Sequence, residues 1–193
     1  TPSPKNSLLI QEEFYRQLRT ELLSAREGPQ DAYLDRSLVG NLAFTLLNMS
    51  LGLLTDAEDL VDRLLKDLEE FNDERTCVVY LTDRLEDIHQ RAMKRGRTME
   101  KNLSINYQRL LHEWYMIVLA HLRSIGYNIL ILDGLESFGL LRDLSASDVI
   151  QRAREYPYSP TINIDIREYV KAPYSIDTTN DSSSIRSINR SIC

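Results

Sequence analysis

Apolar residues recur at three- and four-residue steps over 7–26 (Leu8, Leu9, Phe14, Tyr15, Leu18, Leu22 and Leu23), which predicts an amphipathic helix. Ser7 is its expected cap and Gly28-Pro29 its stop. Residues 31–35 read as a short strand. The apolar segment 38–54 lacks two-residue alternation and is too long for a strand, so a buried helix is expected there. Over 56–71, Leu60, Val61, Leu64, Leu65 and Leu68 share one helical face and acidic residues hold the other. The run Thr76-Cys77-Val78-Val79-Tyr80-Leu81 is continuous, apolar and β-branched, as in a strand buried on both faces of a parallel sheet. Further helices are expected over 83–94, 106–125 and 146–155, with a second buried strand over 128–132. The alternation at 161–166 suggests an edge strand. From Ala172 onward Ser, Thr and Asn dominate, so a flexible tail (172–193) should follow one domain (1–171). Buried strands alternating with helices predict an α/β fold with a parallel sheet and right-handed crossovers.

Composition narrows the function. The 193 residues carry 23 Lys+Arg against 29 Asp+Glu, a net charge of −6. Such a chain is a poor coat for duplex DNA or an anionic membrane, so neither nucleic acid nor membrane is an expected partner. No window approaches eighteen apolar residues, the length a membrane helix needs. Two cysteines, Cys77 and Cys193, cannot build a disulfide scaffold and fit a reducing, cytoplasmic setting, with mitochondrion and nucleus left open. The chain opens on Thr1 without a signal sequence, and we expect it to be a piece of something longer.

Ligands of parallel α/β sheets sit at the carboxyl ends of the strands. Asp35, Asp83 and Asp133 fall at or just after the expected strand ends. Asp35-Arg36 there could hold Mg²⁺ through water and grip a phosphate; the alternative is a helix cap with a local ion pair. Arg91 and Arg95 share a helix face and Arg97 follows Gly96, an arrangement suited to a polyphosphate. The alternative is a solvated basic helix end complementing the helix dipole. His89, His112 and His121 lack metal-ligand spacing and read as structural or surface residues. Ser37 lies in no nucleophile elbow, and Trp114 and the tyrosines read as packing.

Asp35-Arg36-Ser37 after a strand, a long helix, then Val78-Val79-Tyr80-Leu81, resembles the deoxynucleoside kinase family. So does Arg91-x-x-x-Arg95-Gly96-Arg97-x-x-Glu100 with Tyr107, Leu110 and Leu111 behind it. The match covers roughly residues 8–140. The resemblance implies a P-loop kinase-like, three-layer α/β/α fold, with ATP and Mg²⁺ as cofactors, a deoxynucleoside substrate and a homodimer. It implies that Gln11 pairs with the nucleobase edge, and that Phe14, Leu18 and Asn41 shape the base pocket. Asp35 would lie near Mg²⁺ and Arg36 near the 5′ hydroxyl. Arg91, Arg95 and Arg97 would embrace the donor phosphates and Glu100 contact the sugar 3′ hydroxyl. Glu136-Ser137-Phe138 falls where the family covers the donor adenine.

Two departures qualify the match. Asp35 replaces the commoner Glu, as in thymidylate kinases, which makes a thymidylate-type nucleoside monophosphate kinase the alternative enzyme. The sequence also holds no G-x-x-x-x-G-K-[ST], the loop that cradles donor phosphates, and the strands around it have no room before residue 7. The N-terminal strands, the phosphate loop and the general base are therefore expected to be missing, and the chain alone to be inactive. A kinase-like binding or structural subunit that lost this loop is the non-enzyme alternative.

Overall fold

The computed structural model describes residues 4–96, 104–134 and 143–160, together with 139, 141 and 166. Helix α1 spans Pro4–Glu27. It starts three residues before the expected Ser7 cap, on a proline whose fixed φ and missing N–H suit a first helical position. Helix α2 spans Leu38–Ser50. It stops short of residue 54 because the chain turns at Gly52, whose φ of +66° is left-handed. Helix α3 spans Glu58–Glu70, with Glu58 and Asp59 complementing its positive end.

Strand β1 (Cys77–Thr82) pairs in parallel with β2 (Asn128–Asp133), in register from Cys77↔Asn128 to Thr82↔Asp133. Between them run α4 (Leu85–Arg95) and α5 (Ile105–Ser124). Ser104 caps α5 by accepting the Tyr107 amide. Helix α6 (Ala146–Glu155) follows β2 and opens on a capping box between Ser145 and Asp148.

Alternation along the strands sorts the side chains into two layers. Val78, Tyr80, Ile129 and Ile131 face the main core with Leu42, Leu46, Leu64, Leu65, Leu119 and Leu122 of α2, α3 and α5. Cys77, Val79, Leu130 and Leu132 face Val149 and Ala153 of α6. Helices thus cover both faces of a parallel sheet, as the pattern predicted. Each fully buried leucine contributes about 1.5–3 kcal/mol.

Two expected strands are corrected. Residues 31–35 form an irregular link with Tyr33 and Leu34 exposed, because among the described residues no neighbouring ladder takes up their backbone groups. The Tyr33 hydroxyl anchors this link by donating to the Leu144 carbonyl over 2.9 Å. Within 161–166 only Ile166 is described, and it is helical and fully buried, where an edge strand was expected. The tail from 172 lies outside the described residues.

Candidate active site

The carboxyl end of the sheet is closed by Gly134, whose amide donates to the Thr82 carbonyl over 3.0 Å while its φ is +79°. Just beyond β1, Asp83 Oδ2 accepts from Arg91 Nη1 over 2.7 Å and Oδ1 accepts the Arg84 amide over 2.8 Å. The Arg91 bond, then the Arg84 amide, hold the Asp83 carboxyl below its ordinary range. Arg91 and Asp83 line an open groove of about 410 Å³ with Arg84, Asp87, Gln90 and Lys94. Helix α4 ends on Lys94 and Arg95, where cations meet the negative helix end, and Gly96 closes it in the left-handed conformation (φ +63°).

The Asp35-Arg36-Ser37 turn leads into α2. Ser37 occupies the cap position with extended backbone, but its hydroxyl makes no cap bond. Among the described residues no ion pair joins Asp35 to Arg36, so of the cap-and-ion-pair alternative only the cap position of Ser37 is present. Both side chains are exposed. Arg36 has a φ of +79°, a conformation that costs a non-glycine residue about 1–3 kcal/mol and concentrates at functional sites.

Behind Arg36, α2 and α5 approach closely. A Cβ placed on Gly40 would stand 2.9 Å from the Tyr115 hydroxyl. Tyr115 stacks on Tyr80 of β1 at 5.1 Å between centroids and meets Phe44 edge-on at 6.5 Å. Burial pushes the Tyr115 hydroxyl above its ordinary range, opposed by the Arg36 charge. The Tyr80 oxygen lies 2.8 Å from His112 Nδ1. Burial holds His112 below the usual histidine range, with Asp133 acting in the opposite direction. This chain of rings ties the Arg36 turn to the carboxyl half of β1. From sequence the tyrosines and His112 read as packing or surface residues; the signal for this ring cluster is Gly40, a helix-weakening residue placed where a ring must enter.

On α1, Gln11 is half-buried, Leu18 packs on the core and Phe14 is 41% exposed. Asn41 Nδ2 donates to the Gln11 carbonyl over 3.2 Å, and the Thr45 hydroxyl donates to Asn41 Oδ1 over 3.3 Å. The structure thus brings Gln11 to Asn41 and Arg91 to Asp83. Arg97, Glu100, Glu136 and Phe138 lie outside the described residues. A second groove, of about 600 Å³ between α1 and α3, holds Arg19 and Arg63, but both are ion-paired, to Asp67 at 2.8 Å and Glu12 at 2.6 Å. Among the described residues no three His, Cys, Asp or Glu side chains are grouped to hold a metal, and no helix is long and apolar enough to cross a membrane.

A family model described as deoxynucleoside kinase matches residues 4–156, which include the Asp35-Arg36-Ser37 turn and the arginines of α4. No curated protein and no solved structure matches the chain.

Proposed function

This chain belongs to the deoxynucleoside kinase family, and from that premise we propose that its protein transfers the γ-phosphate of ATP to the 5′ hydroxyl of a deoxynucleoside, in nucleotide salvage. The family is one of kinases with a P-loop kinase-like α/β fold and ATP as general phosphate donor. The observation that carries the finer reading is the exposed, left-handed Arg36 at the mouth of α2. A strained, exposed cation at the start of a helix suits a phosphoryl group.

The residues present fit part of a nucleotide site. Arg91 spends one nitrogen on Asp83 and is 38% exposed, which leaves other donors of its planar fork for phosphate oxygens. Arg36, Arg91 and Arg95 would hold the phosphates, with Arg97 beside them. Asp35 would hold Mg²⁺ through water, since Mg²⁺ needs only one or two protein carboxylates. Bound ATP supplies the transferable phosphoryl group, and Mg²⁺ offsets its charge. Gln11, Phe14, Leu18, Asn41 and Glu100 are our proposed nucleoside contacts, Glu136 and Phe138 the donor-base contacts. The partners we propose are small molecules and a second copy of the chain.

The second reading is a kinase-like binding subunit, one that would work without G-x-x-x-x-G-K-[ST]. Thermal-shift titration with ATP, the four deoxynucleosides and thymidine 5′-monophosphate, paired with a phosphate-transfer assay, tests both. The kinase reading expects stabilisation by one deoxynucleoside and by ATP, with no turnover by the 193 residues alone. Stabilisation by the deoxynucleoside but not by ATP supports the binding subunit; no stabilisation by any of them ends both readings.

A further inference from the structure

Glycine inside a helix is costly, and Gly40 sits in the first turns of α2. Its reason is steric, because any Cβ there would meet the Tyr115 hydroxyl at 2.9 Å. The ring cannot easily swing away, being stacked on Tyr80 and braced edge-on by Phe44. Gly40 therefore admits one phenolic oxygen to the helix surface, one turn after Arg36. Among the described residues that oxygen has no hydrogen-bond partner. A polar atom let in at such cost, and left unbonded within the fold, is available to a ligand.

We infer that the Tyr115 hydroxyl donates to the phosphoryl group that Arg36 grips, the two forming a two-point site for one 5′-phosphate. The inference rests on the kinase reading above and adds a residue to it. Arg36 supplies charge, and Tyr115 supplies direction from a rigid ring. Burial keeps the hydroxyl protonated across the neutral range, as a donor must be.

The test uses the full chain as wild type, Tyr115→Phe, Gly40→Ala and the double variant. Melting temperature is measured for each, with calorimetric titration of the four deoxynucleosides and their 5′-monophosphates. Tyr115→Phe should melt as wild type, bind its preferred monophosphate about tenfold more weakly and bind the unphosphorylated deoxynucleoside unchanged, as for one lost charge-assisted bond. Gly40→Ala should lose the same monophosphate affinity by displacing the ring, and the double variant should lose no more than either alone. Unaltered monophosphate affinity in Tyr115→Phe, with wild type binding normally, overturns this inference and leaves the kinase reading standing. Equal losses for both ligand forms also overturn it, assigning Tyr115 to the nucleoside pocket. Wild type that binds none of the eight compounds overturns both.

Discussion

The Tyr15 hydroxyl donates to Asp67 Oδ2 over 2.8 Å, and Arg19 Nε meets the same oxygen at 2.8 Å. One buried carboxylate thereby fastens α1, which carries Gln11, Phe14 and Leu18, to the core helix α3. Asp67→Ala leaves the Tyr15 hydroxyl buried without an acceptor, so we expect a loss of about 2–3 kcal/mol in urea unfolding. Asp67→Asn keeps an acceptor and should cost about 1 kcal/mol. Equal stability of Asp67→Ala and wild type would refute the clamp.

Three aspartates set the response to acid. Asp83 is depressed by its bond from Arg91 and Asp148 by its bonds from Ser145. At Asp73 burial opposes ionisation but is outweighed by the Thr76 hydroxyl, the Arg75 amide and the charges of Arg75 and Arg26. Each holds fewer protons folded than unfolded, so its contribution is complete above the unfolded value of about 3.9 and drains away as pH falls through the lower folded one. Melting temperature should stay level from neutral pH to about 5, then fall below about 4. Asp148 is exposed and Asp73 and Asp83 are half-buried beside solvent-facing arginines, so about 1 M salt should flatten part of the fall. A melting temperature that rises on acidification contradicts the assignment.

Burial pushes the Cys77 thiol up to about 11. In a Cys193→Ser variant, alkylation of the remaining thiol at neutral pH should run about a hundredfold slower than for an ordinary thiol, and recover in denaturant. Rapid labelling of the native variant would show that α6 does not cover that sheet face.

Arg91→Gln removes the cation that Asp83 holds at the mouth of the 410 Å³ groove. ATP binding should weaken about tenfold, the equivalent of one charge-assisted bond, while deoxynucleoside binding stays within about twofold. Calorimetry with both ligands separates these, and unchanged ATP affinity removes Arg91 from the donor site.

Periodicity made most of the architecture legible. Leu60, Val61, Leu64, Leu65 and Leu68 defined one helix, and the run through Val78-Val79 defined a strand, because burial of a face imposes its own spacing. Residues 31–35 misled because composition suggests a strand while only a neighbouring ladder can make one. Arg91 was legible as a functional candidate, but its Asp83 partner was not, since that contact depends on how α4 leaves β1. Tyr115 was invisible for a related reason: its role comes from Gly40, 75 positions earlier in the chain and adjacent only after folding.

The sheet has two strands among the described residues, so each presents an outer row of amides and carbonyls that no strand of those residues meets. Alternate amides of β1 should therefore trade deuterium with solvent quickly while their inward neighbours resist. An open row of this kind is a template on which a further extended segment can add as a strand.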